Sequence, residues 1–151
     1  MEPGPLTELV AQLLDETFES HHGIYTDRGT SLFETLDAVT ASDASVKIGG
    51  RGPTIAAQVA HVTLYLDVLE RSMRGEEIES VDWEDIWQRV SAVSPDGWHT
   101  LRAELGASYR RLRDTVDGFD SWEPEARLEV LAVIAHTAYH LGAIRQALYT
   151  L

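Results

Sequence analysis

His136 and His140 stand four residues apart in the run Ala135-His136-Thr137-Ala138-Tyr139-His140. On an α-helix that spacing puts two imidazoles on one face, one turn apart, close enough to share a metal ion. His61 lies at the edge of the apolar arc of a second long helical segment, beside Leu64, Tyr65 and Val68. Gln58 and Tyr65 are a turn away on either side of it and could hydrogen-bond near such a site. Neutral imidazoles suit zinc, nickel, copper or iron(II), whereas magnesium and calcium prefer oxygen ligands. Three protein ligands would leave coordination positions open for water or substrate. The competing reading is a set of hydrogen-bonded core histidines, the commoner role on a buried helix, and spacing alone does not set His61 opposite the pair. The metalloprotease motif is excluded: it needs Glu directly after its first histidine, and Thr137 stands there.

The elements that must position these groups read as helices. Leu6, Leu9, Val10, Leu13, Leu14 and Phe18 recur at helical spacing and predict a first helix over Pro5 to Ser20. A shorter piece is expected from Thr30 to Val39, with one more turn within Thr40 to Ser45. Val46 to Pro53 reads as a loop. Its run Gly49-Gly50-Arg51-Gly52-Pro53 is not a phosphate loop, because the Lys-Ser/Thr ending is missing and no strand precedes it. Ile55, Val59, Val62, Leu66, Leu69 and Met73 form the stripe of a long helix from Thr54 to Gly75. Trp83, Ile86, Trp87 and Val90 mark a short amphipathic helix. Ser94-Pro95 opens a helix that runs to about Val116, and Glu123-Pro124 opens a last one that reaches Tyr149. That last helix is apolar nearly all round, the pattern of the most buried member of a bundle or of an interface. No segment alternates with period two, so no strand is expected. The expected fold is all-α: an up-and-down four-helix bundle with short additional helices in the connections, residues 1–151 forming one domain.

Bulk properties narrow the function. The formal net charge is −13, the wrong sign for gripping a nucleic-acid backbone or an anionic membrane. With no cysteine there are no disulfides, thiolate metal sites or cysteine nucleophiles. Met1-Glu2-Pro3-Gly4-Pro5 lacks the basic start and apolar run of a signal peptide. The most apolar long stretch, Leu128 to Leu151, is interrupted by Glu129, His136, His140 and Arg145, so no membrane span is expected. A soluble, cytoplasmic protein is the expectation.

Three stretches resemble the DinB/YfiT-like superfamily of bacterial four-helix-bundle metalloproteins. One is Gly52-Pro53-Thr54-Ile55-Ala56-Ala57-Gln58-Val59-Ala60-His61, a glycine-rich lead-in to a helix with a histidine two turns in. Another is Ala135 to Gln146, which carries a His-x-x-x-His-x-Gly-x-Ile-Arg-Gln signature. The third, Leu32 to Ser45, is similar to a leucine-rich region of the family in weakened form. The resemblance implies that His61, His136 and His140 together hold one divalent transition metal ion, nickel or zinc. It also implies that a homodimer is one open assembly state.

Other polar and aromatic residues carry blander expectations. Tyr25 and Asp27 read as loop residues, His21 and His22 as surface residues, and His99 as solvent-facing. Arg145, on a different side of its helix from His140, would need a carboxylate partner if buried. Glu129 lies two turns below His136, too far to ligate with it. Trp83, Trp87, Trp98 and Trp122 read as packing residues, and no carboxylate near the histidines is apparent as a general base. The resemblance implies a metal-dependent thiol S-transferase or isomerase working on a small molecule with a low-molecular-weight thiol; a metal-dependent hydrolase is disfavoured. The alternatives are a non-catalytic metal-binding stress-response protein and a helical interaction module with structural histidines. No catalytic residue is assigned.

Overall fold

A computed structural model describes residues 4–151; Met1 to Pro3, the start of the N-terminal stretch read above, lie outside the described residues. The chain folds as an all-helical bundle, as the residue patterns predict, with no strand among the described residues. Four long helices dominate: α1 (Pro5–Phe18), α4 (Ile55–Met73), α6 (Pro95–Asp117) and α7 (Pro124–Leu148). Short helices α2 (Leu32–Asp37), α3 (Ala41–Ala44) and α5 (Asp85–Arg89) fill the connections, together with a 3₁₀ turn at Ile48–Gly50.

The helix starts follow from local chemistry. Proline occupies the first turn of α1, α6 and α7, where its missing N–H has no partner to lose. The Thr54 hydroxyl accepts from the Ala57 N–H at 3.1 Å and the Ser94 hydroxyl accepts from the Gly97 N–H at 3.0 Å, capping α4 and α6. Past the end of α4 the chain turns at Gly75, whose φ of 81° strains any side chain-bearing residue.

Both α1 and α4 pack against α6 and α7. The pairs α1/α4 and α6/α7 therefore lie across the bundle from one another, and α4 rests directly on α7. Leu14, Phe18, Leu66, Leu105, Leu112, Val133 and Ile144 are among the buried apolar side chains of the centre. Phe18 stacks on Tyr109 with ring centroids 4.4 Å apart.

One expectation is corrected. The most buried long helix is α4, with 12 buried positions in 19 residues, and not α7, with 9 in 25. A helix with two main neighbours keeps one outward stripe, and on α7 that stripe is apolar: Leu128, Leu131 and Tyr139 are 70%, 51% and 72% exposed. Among the described residues no helix is long and apolar enough to cross a membrane.

Candidate metal centre

The packing of α4 on α7 joins the three histidines. The ring of His61 lies with its centroid 5.0 Å from that of His136 and 5.0 Å from that of His140, and the α7 pair is 4.5 Å apart. One imidazole nitrogen from each falls within 4.8 Å of the others. The Nε2 atoms of His61 and His136 approach to 3.0 Å. Ligand atoms about 2.0–2.1 Å from a tetrahedral zinc sit roughly 3.3 Å from one another, so this spacing fits a shared ion.

The protonation states fit as well. Burial lowers the pKa of His61. Burial and then the neighbouring charge of His140 and His61 bring His136 down to about 4. Burial and then His61 bring His140 to about 4. All three rings are therefore neutral at pH 7 and offer lone pairs, the form a metal requires.

Each ring is held by a different contact. His140 Nδ1 donates to the Gln58 carbonyl oxygen at 3.2 Å, which leaves its Nε2 with the lone pair. The Nδ1 atoms of His61 and His136 are buried with no hydrogen-bond partner. Aromatic faces hold those two rings instead. Trp87 stacks on His61 at 4.4 Å with 26° between planes, and Tyr65 stacks on His136 at 3.8 Å with 12°. The Tyr65 hydroxyl is pushed up by burial and then by the charge of Glu129.

The trio borders a cavity of about 420 Å³, whose wall also includes Pro53, Gln58, Trp83, Glu84, Trp87, Tyr139 and Ala143. This is room for a small molecule beside the histidines.

Several residues take roles other than those expected from sequence. Trp83 and Trp87 are walls of this cavity rather than core packing; Trp98 and Trp122 are buried, donating to the Val39 carbonyl and the Thr7 hydroxyl, both at 2.8 Å. Tyr65 stacks on a histidine where a hydrogen bond was anticipated. Glu84, an exposed residue, lies at the cavity wall, a placement that the sequence did not reveal, because the irregular chain ahead of α5 folds back over α4. Arg145 is half-buried, has no carboxylate oxygen within 4.0 Å among the described residues and donates to the Thr35 hydroxyl at 3.1 Å. Glu129 accepts from Ser72 and takes no part in the trio. His21 bonds the Thr26 carbonyl at 2.7 Å, His22 pairs with Asp15, and His99 is exposed, so none joins the site. Tyr25 bonds Thr17 at 2.6 Å, and both it and Asp27 are exposed loop residues away from the cavity.

The chain belongs to the DinB superfamily: the family's model matches residues 24–144, a span that takes in His61, His136 and His140. No curated protein and no solved structure matches the chain.

Proposed function

We propose that His61, His136 and His140 hold one divalent transition metal ion, nickel or zinc, and that the centre serves a thiol S-transfer or isomerisation on a small molecule. The observation that carries this reading is the convergence of three neutral imidazoles, one nitrogen each within 4.8 Å, on the wall of a cavity of about 420 Å³. When bound, the metal lowers the pKa of a sulfhydryl and holds it as the thiolate nucleophile. The chain has no cysteine, so the nucleophile comes from a low-molecular-weight thiol, which a reducing compartment such as the cytoplasm supplies.

The protein's own groups then orient and exclude. Gln58 fixes the tautomer of His140, and Trp87 and Tyr65 fix the planes of His61 and His136. Trp83, Trp87 and Tyr139 supply aromatic walls that displace water around a substrate. Glu84 stands at the same wall as an acceptor for the sulfhydryl proton.

Metal analysis of untagged protein, wild type against His136→Ala, tests the centre. One equivalent in the wild type and none in the variant is expected. A panel of small thiols with an electrophilic substrate then tests the chemistry. Metal uptake without turnover by any thiol would favour a non-catalytic metal-binding protein, and no metal uptake would favour a helical interaction module.

A further inference from the structure

The glycine-rich run ahead of α4 carries an unexplained feature. Lys47 and Arg51 flank the 3₁₀ turn and line one cavity of about 560 Å³, together with Thr54, Trp87 and Gln88. The chain has 12 basic residues against 25 acidic ones, and six of its arginines pair with carboxylates. Lys47 and Arg51 have no carboxylate oxygen within 4.0 Å among the described residues. Two basic residues lining one cavity in so acidic a chain mark a place that attracts an anion.

The backbone is shaped to hold them there. Gly50 N–H donates to the Lys47 carbonyl at 2.9 Å, and Gly52 N–H donates to the Ile48 carbonyl at 2.8 Å. Gly49 and Gly50 have φ of 62° and 79°, and a Cβ on Gly52 would meet the Ile48 carbonyl oxygen at 2.7 Å. All three positions thus require glycine for this turn. Thr54, the N-cap at the positive end of the 19-residue helix α4, lines the same cavity. Pro53 and Trp87 line both this cavity and the one at the histidines, so one elongated molecule could occupy the two.

We infer that Lys47 and Arg51 bind the anionic arm, a carboxylate or a phosphate, of the small molecule whose reactive end lies at the histidine trio. The inference rests on the metal-centre reading. Its test uses cobalt(II)-loaded wild type and a Lys47→Ala/Arg51→Ala variant, with thiol binding read from sulfur-to-cobalt charge-transfer absorption. N-acetylcysteamine and N-succinylcysteamine separate a neutral end from a carboxylate; pantetheine and 4′-phosphopantetheine separate a neutral end from a phosphate. Both proteins should take up one cobalt with equal affinity. At least one anionic thiol should bind the wild type about tenfold more tightly than its neutral counterpart, and the pair that shows this names the arm. The preference should vanish in the variant while the neutral thiols bind both proteins alike. Equal binding within each pair, no thiol binding, or a preference that survives the double substitution overturns the inference and leaves the metal centre standing. A wild type that takes up no cobalt overturns both.

Discussion

The Nε2 atoms of His61 on α4 and His136 on α7 face each other across 3.0 Å, so the two helices meet through a pair of nitrogens that one cation can bridge. Metal removal should therefore loosen the α4–α7 seam. A ligand present at about 100 times its Kd stabilises the folded state by about 2.7 kcal/mol. Wild type should lose thermal stability of that order on chelation and recover it with nickel or zinc. His136→Ala should show the chelated midpoint whether or not metal is added. Equal midpoints for loaded and stripped wild type, by calorimetry, would speak against the bridge.

Gln58 accepts from His140 Nδ1 at 3.2 Å and so decides which nitrogen of that ring faces the cavity. Removing such a tautomer-fixing partner costs about 10- to 100-fold in metal affinity. Gln58→Leu should fall in that range by competition with a chelator of known affinity, and Gln58→Glu, which keeps an acceptor, should recover most of it. An unchanged affinity in Gln58→Leu would show that the ring is held some other way.

Much of this centre was legible from residue types, and the missing parts share a cause. The helices announce themselves through stripes and caps, as at Thr54, Ser94 and Pro124, where the deciding contacts are local. The His136/His140 pair is also local, since one turn of one helix sets it. That His61 faces the pair depends on α4 packing against α7, a tertiary fact to which spacing is blind. The same holds for Trp83, Glu84 and Trp87: a short helix and its irregular approach carry no mark of which long helix they cover. The outward stripe of α7 was hidden for a different reason. Apolar residues on all sides do not say which side the neighbours leave open.

Trp87 lies 4.4 Å from the ring of His61, whereas Trp98 and Trp122 are buried against the Val39 carbonyl and the Thr7 hydroxyl. Nickel or copper at the trio should quench the fluorescence of Trp87 and of Trp83, whose ring lies 6.3 Å from that of His61, more than that of Trp98 and Trp122. Trp87→Leu should remove a large share of the quench. It should also weaken metal binding by up to about tenfold, since a ring stack of about 0.5–1.5 kcal/mol no longer orients His61. A full quench in the variant would place the ion elsewhere.

Glu16 organises the chain between α1 and α2. It is fully buried, and its carboxylate accepts from the backbone N–H groups of His22, Ile24, Tyr25 and Thr26 at 2.6–3.1 Å and from the Thr26 hydroxyl at 3.0 Å. Burial by itself would raise its pKa; the donors of Thr26, Tyr25 and Ile24 outweigh burial and lower it from 4.5 to about 2. Because the folded value lies below the unfolded one, the ionised carboxylate stabilises the fold fully above pH 4.5 and loses that contribution as pH falls toward 2. Glu16→Gln should cost about 2–3 kcal/mol at neutral pH, the scale of charge-assisted hydrogen bonds lost at a buried group. The difference between wild type and variant should shrink steadily as the pH is lowered through that window. Urea unfolding of both proteins from pH 7 to pH 2.5 measures it, with the other carboxylates cancelling in the comparison. Amide exchange at Ile24 and Tyr25 should quicken in the variant at pH 7, and a pH-independent difference would mean that the charge of Glu16 is not what holds the loop.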